Sequence, residues 1–418
     1  MSSRLTVIVP TRERHDTLVS SLRTCVTQDS DDLTILVSDN ASTDETREVV
    51  ASYDDERIRY VNPGRRLGMS EHWEFALSHV DDGYVCFLGD DDGLMPGAAT
   101  ELLRVFAAED VDALTWPLSI YYWPQFFDPA LANCLSMRLP QSGRLSAVDS
   151  PALLARVARF EASYHELPSP YWGAVHRRAF DRVAAQTGRV FHSIIPDIFS
   201  GVAVGAVTSR HLHTDRLHTL SGTSRHSNGV SQLTGSGSGD ASSPAQVFES
   251  ENTLAFHPAV DYTTNACVLL AECLLQAHDH VSADVPLPDL EAMFTAALHH
   301  PDHVLNPAVQ ATVLPALRAT AQRHGLADVL ERRLDAEERW TWLRRLQVAG
   351  GLIALGNPLH DCTPDGVENI FDATLVADRL RSEHTTRLAR GAWTARGRLR
   401  KGGRAVSAAR TRLAAAAR

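Results

Sequence analysis

Five short apolar runs within roughly the first 120 residues, each cut off by polar or turn-forming residues, alternate with segments of helical period. Leu5-Thr6-Val7-Ile8-Val9 stops at Pro10 and reads as a buried strand. Between Asp16 and Thr27, Leu18, Leu22 and Val26 recur every four residues, the stripe of an amphipathic helix. Leu33 to Val37 predicts a second strand that ends at Ser38-Asp39-Asn40. Ser42, with Glu45 three residues later, has the capping-box pattern and predicts a helix start. Arg57 to Val61 predicts a third strand, and Ser70 opens a helix with Trp73, Ala76, Leu77 and Val80 inward. Tyr84 to Leu88 and Ala113 to Trp116 predict the fourth and fifth strands, and Pro96 suits the first turn of the helix between them. This order predicts an α/β fold, a mostly parallel sheet flanked by helices on both faces.

The polar residues collect at strand ends, where open α/β sheets bind ligands. Thr11, Arg12 and Glu13 follow the first strand, Asp39 the second, and Asp90-Asp91-Asp92 the fourth. Three adjacent carboxylates suit a solvated acidic turn, because Asp favours turns and helix starts. They also suit a divalent cation with oxygen ligands, whose further anionic partner would be a nucleotide diphosphate. No Gly-x-Gly-x-x-Gly follows the first strand and no Gly-x-x-x-x-Gly-Lys-Ser/Thr occurs, which argues against dinucleotide and P-loop enzymes.

Three motifs in order carry a resemblance: Val7-Ile8-Val9-Pro10-Thr11-Arg12, then Val37-Ser38-Asp39-Asn40-Ala41-Ser42-Thr43-Asp44, then Leu88-Gly89-Asp90-Asp91-Asp92 with Pro96. With these the chain resembles a family 2 glycosyltransferase of the GT-A fold, strongly over roughly the first 120 residues and more weakly to about residue 230. The resemblance implies inverting transfer of a sugar from a nucleotide diphosphate donor, UDP-linked by expectation. It implies that Pro10, Thr11 and Glu13 border the nucleotide and that Asp39 accepts a hydrogen bond from the uracil ring. It brings Asp91 to the ribose or donor sugar and Asp92 to the metal, Mn²⁺ or Mg²⁺. The triple Asp leaves the register open by one residue, so Asp90 shares the metal role as an alternative. Arg65, Arg66 and Gly68 lie on the loop that passes near the donor in such enzymes, and they also suit a solvated basic loop.

Inverting transfer needs a base for the attacking hydroxyl, and the resemblance implies an Asp or Glu some hundred residues after the acid motif. Asp197, a lone acid in the apolar segment Ile194 to Phe199, is the expected base. Its alternative use is a helix cap. Glu166, in the aromatic- and proline-rich loop from Tyr164 to Trp172, is the runner-up. In the hydroxyl-rich stretch after Ser221, His226 is the expected metal-completing histidine, with His213 and His218 behind it.

Four regions are expected: residues 1–220 as the nucleotide-sugar-binding and catalytic domain, 221–250 as a Gly/Ser-rich loop or linker, 251–380 as a helical domain, and 381–418 as a basic tail. From His384 to Arg418 the chain has nine Arg, one Lys and no acid, leaving 30 basic against 51 acidic residues in the body. That body argues against nucleic acid as a partner. The tail suits a solvated segment or peripheral contact with an anionic membrane. The first strand begins at Leu5, no signal peptide is expected, and six cysteines without metal spacing suit a cytoplasmic protein, peripheral at most to the inner membrane face. Richness in Ala and Arg suits a high-GC bacterial genome. The acceptor and any homo-oligomer stay open. Two rival readings remain: a sugar-nucleotide nucleotidyltransferase, which would normally show a Gly-rich basic loop after the first strand, and a non-catalytic sugar-binding relative.

Overall fold

A computed structural model describes residues 4–225, 227, 248, 250–299, 307–338 and 358–384. All five expected strands form: β1 (Leu5–Thr11), β2 (Leu33–Asp39), β3 (Ile58–Val61), β4 (Tyr84–Phe87) and, after the short β5 (Gly93–Leu94), β6 (Ala113–Thr115). Between them run α1 (His15–Val26), α2 (Thr46–Ala51), α3 (Met69–Leu77) and α4 (Ala98–Ala108). The chain continues through β7 (Ile120–Tyr122), β8 (Cys134–Ser136), β9 (Leu145–Asp149), α5 (Ser150–Ala158), β10 (Gly173–His176), α6 (Arg177–Ala184), α7 (Pro196–Val207), β11 (Arg210–Thr214) and β12 (Thr219–Thr223).

The main sheet has eight strands in the order β3-β2-β1-β4-β10-β6-β11-β9. Its β3-β2-β1-β4 half is parallel, and β10 runs antiparallel to both its neighbours. Period-two alternation builds two apolar layers. Leu5, Val7 and Val9 face α1 and α4, while Ile8, Val85 and Phe87 face α3, α6 and α7.

Two helix starts depart from expectation. Ser42 does not cap, because its Oγ accepts the Glu13 amide at 2.9 Å. Asp44 takes the Thr46 amide at 3.1 Å instead, and α2 begins there. Pro96 lies before α4, not in its first turn. The chain first forms β5, pairs it with β12, and turns through Gly97 at φ 73° to start the helix.

Beyond residue 250 come α8 (Ala266–His280), α9 (Leu290–His299), α10 (Pro307–Arg323) and α11 (Ala327–Glu338). Helix α8 is largely apolar because it is buried on two sides. Leu269, Leu270, Cys273 and Leu274 join the α7 layer, whereas Val268 and Ala271 face α9 to α11. The boundary expected at 220/221 falls inside β12. The one at 380/381 falls inside α12 (Ile370–Glu383), which returns to the main sheet's α1 layer. Ile370, Ala373, Val376, Ala377 and Leu380 recur at three- and four-residue steps and pack on the α1 layer, while β13 (Leu359–Asp361) pairs with β8. Among the described residues no helix is long and apolar enough to cross a membrane, and all six cysteines are unbridged.

Candidate active site

The turn between β4 and β5 buries all three carboxylates, Asp90 at 2%, Asp91 at 5% and Asp92 at 4% exposure. Each is held by a different part of the chain. Asp90 accepts from Thr11 Oγ1 at 2.8 Å and from the Arg14 guanidinium at 3.1 Å. Asp91 Oδ2 accepts from the hydroxyl and amide of Ser224, at 2.7 and 3.3 Å. Asp92 Oδ1 accepts from the Gly222 amide at 2.6 Å, and its Oδ2 from the Gly89 amide at 3.0 Å and the Tyr171 hydroxyl at 2.8 Å.

Like charges this close resist ionisation. Burial, and then the charge of its neighbour, raises the pKa of Asp91 and of Asp92. Burial works against the charge on Arg14, but Asp90 and Asp91 outweigh it and hold the guanidinium above its ordinary pKa. The close packing explains two glycines. A Cβ on Gly222 would lie 1.7 Å from the Asp91 carbonyl oxygen, and one on Gly89 would lie 2.8 Å from Asp92 Oδ2. Trp123 closes this corner by donating its Nε1–H to the same Asp91 carbonyl at 3.2 Å.

The three carboxylates differ in how far their oxygens are engaged. Both oxygens of Asp92 are engaged by amides and a phenol, so that carboxylate braces the turn. Both oxygens of Asp90 also have partners, Thr11 and Arg14, which leaves it a secondary candidate. Asp91, which accepts both Ser224 bonds on Oδ2, keeps Oδ1 as the donor atom. Magnesium sites commonly use only one or two carboxylates with substrate phosphates. The turn fits that chemistry, although the described residues contain no ready group of three or more metal-ligating side chains.

At the end of β2, Asp39 accepts from Tyr60 Oη at 2.5 Å, Asn62 Nδ2 at 3.1 Å and the Ser42 amide at 3.0 Å. A carboxylate has about four lone-pair sites, so one stays open for a ligand donor. The rim nearby is an ion-pair chain. Glu13, at φ 52°, binds Thr43, the Asp44 amide and Arg66. Arg12 and Arg66 both reach Glu251. Gly68 lets the chain at Glu251 approach, since a Cβ there would lie 2.8 Å from the Glu251 carbonyl oxygen. Arg65 is exposed and Pro10 half-buried beside Thr11.

Asp197 stands in the first turn of α7, after Pro196, and does not cap it, since the N-cap position is Ile195. Its carboxylate meets the amides of Ile198 and of Asp197 itself, and burial pushes its pKa up to about 6. Ser169 ties this helix start to the Tyr171 loop. Its hydroxyl donates to the Asp197 carbonyl at 2.9 Å and accepts the Tyr171 amide at 3.2 Å. Tyr171 is raised well above an ordinary phenol by burial and by the charges of Asp92, Asp91 and Asp197. These acids therefore share one neighbourhood. Glu166, by contrast, is exposed and closes a capping box with Ser163. His213 turns to Thr115 Oγ1 at 3.0 Å, and His218 is buried against Trp116. His226 lies outside the described residues.

Sequence reading missed Arg14, Tyr171, Gly222 and Ser224 as site residues. Ser224 and Gly222 lie in the hydroxyl- and Gly-rich stretch already singled out, and Tyr171 in the aromatic loop. Arg14 carries no local signal.

Residues 6–133 match the family described as glycosyl transferase family 2. Over this segment the chain is similar to that family, and the resemblance seen in its strand-end motifs is borne out there. A curated relative, the GalNAc(5)-diNAcBac-PP-undecaprenol beta-1,3-glucosyltransferase of Campylobacter jejuni subsp. jejuni serotype O:2, is 38% identical over 104 residues. The match covers 24% of this chain and 34% of that protein, so the chain spans about a third of the relative's length. Solved structures of S. aureus TarS 1-349 are also similar. The complex with UDP-GlcNAc has TM-score 0.45 at 15% identity and the complex with UDP 0.44 at 15%, each covering 80% of this chain and 92% of that one.

Proposed function

We propose that this protein is an inverting glycosyltransferase that moves a sugar from a UDP-linked donor to a hydroxyl acceptor. One observation carries the reading: the buried acid turn and a half-buried acid, Asp197, are joined through Tyr171 and Ser169 and have opposite surroundings. The turn offers Asp91, with Asp90 behind it, to a donor diphosphate. Arg14 keeps that cluster from excessive negative charge. Asp39 takes the remaining donor, a base N–H. Asp197, at a pKa of about 6, is ionised at neutral pH and accepts the proton of the attacking hydroxyl. Mn²⁺ or Mg²⁺ bound at Asp91 would neutralise charge on the departing diphosphate as a Lewis acid.

The name of the Campylobacter relative places that enzyme on an undecaprenol-linked saccharide. A lipid-linked acceptor would give the basic tail of this chain a use at an anionic membrane. The test is a thermal-shift screen of UDP, GDP, ADP and CMP with and without Mn²⁺, followed by assay of UDP-sugar turnover. A ligand at 100 times its dissociation constant adds about 2.7 kcal/mol of apparent stability. UDP with Mn²⁺ is expected to give the largest shift, and Asp91→Asn to remove it. Equal shifts for all four nucleotides would contradict the donor assignment.

A further inference from the structure

Glu272, on α8, is fully buried, as is Ser193 just ahead of α7. No cation partners this carboxylate in the described structure. Its Oε1 accepts from Gln276 Nε2 at 2.8 Å, its Oε2 from the Ser193 hydroxyl, and burial pushes its pKa up to about 7. A buried acid without a cation is an expensive way to fill a helix–helix contact that leucines fill on either side. What it holds is specific. The Ser193 oxygen that donates to Glu272 also accepts the Ile195 amide at 3.2 Å. Ile195 is the N-cap position of α7 and has no side-chain cap of its own. Cys273, the next residue on α8, contacts the same Ser193 oxygen at 3.3 Å and the Ile195 carbonyl at 3.9 Å. From the other side, Ser70 donates to the Ser193 carbonyl. The two residues after Ile195 are Pro196 and Asp197.

We infer that Glu272 is a positioning residue that acts through Ser193 to fix the start of α7, and with it the Asp197 carboxylate, against the donor site. The helical region is thereby part of the active-site scaffold, fused to it through α8. The inference rests on the proposed role of Asp197. A displacement near 1 Å in a reacting group can cost up to about 10²-fold in rate, so slackening one hydrogen bond two residues away reaches the chemistry.

The experiment uses the full chain, with hydrolysis of UDP-glucose and UDP-N-acetylglucosamine as probes of transfer to water. Glu272→Ala and Ser193→Ala are expected to lower kcat by about 10- to 100-fold at nearly unchanged KM and UDP affinity. Glu272→Gln keeps an acceptor for Ser193 and is expected to restore most of the rate. As a readout independent of turnover, the ¹³C carboxyl resonance of Asp197, identified by its loss in Asp197→Asn, should titrate lower in Ser193→Ala. If Ser193→Ala and Glu272→Ala keep both normal kcat and the unaltered Asp197 titration, the contact is only structural and the inference falls. Normal hydrolysis by Asp197→Asn would instead remove the base itself, which separates failure of the proposed function from failure of this inference.

Discussion

Asp92 is a buried and Asp197 a half-buried acid near Tyr171, yet Asp92 gives both oxygens to fixed donors from its own turn and two distant segments, whereas among the described residues Asp197 meets the amides of its own helix turn. Saturation suits a brace, since an anchored carboxylate holds its neighbours Asp90 and Asp91 in place. Sparse partnering and a raised pKa suit a base, since the group is poised near neutral pH with a site open to a ligand proton. Under the proposed function, the same residue type serves shape at one end of the site and proton transfer at the other.

The strongest way to break the comparison is at the brace. Gly222→Ala drives a Cβ into the Asp91 carbonyl, backbone against backbone, where neither side yields cheaply. Stability should fall by more than the ~1–3 kcal/mol typical of overpacking, with UDP binding lost, as read by urea unfolding and calorimetry. A near-wild-type midpoint would show that β12 does not press on the acid turn as described.

Asp197→Asn should do the reverse to stability. Because the folded pKa, about 6, lies above the unfolded value, the folded state binds more protons between the two. Stability therefore falls as pH rises through that window, and at pH 7 the ionised acid destabilises the fold by up to about 3 kcal/mol at ~1.36 kcal/mol per pKa unit. Removing the charge should raise the melting temperature at pH 7 but hardly at pH 4. An equal change at both pH values would mean that Asp197 is not strained by burial.

Asp39→Ala should weaken UDP by about 1.5–3 kcal/mol and leave bare pyrophosphate less affected, because its open acceptor is assigned to the base. Equal losses by calorimetry would take Asp39 away from base recognition. At the exposed rim, Arg66→Ala should change stability by about 0.2–1 kcal/mol. A UDP affinity loss well beyond that would make Arg66 a donor contact as well as the partner of Glu13.

The five strands and the strand-end acids were legible because period-two burial and abrupt polar stops are local properties of the chain. The role of each carboxylate was not. Whether Asp92 points to a ligand or to the scaffold is decided by Gly222, 130 residues on, and by the Tyr171 hydroxyl, neither of which local pattern can pair with it. Asp197 was legible as an acid amid apolar neighbours, the same reasoning that sets it apart in the structure. Glu272 was hidden because its helix reads as a continuous apolar segment, and the hydroxyl that explains it lies on another element. The domain boundary at 380 was misplaced for the same reason: the stripe of α12 is visible, but not which core it faces.

The division between brace and base is tested most directly by measuring UDP affinity and single-turnover sugar transfer together for wild type and Asp197→Asn. UDP affinity should be unchanged while transfer falls by about 10²–10⁴-fold, with the wild-type rate declining as pH drops through about 6. Near-normal transfer by Asp197→Asn, or a loss of UDP affinity that accounts for the whole defect, would contradict it.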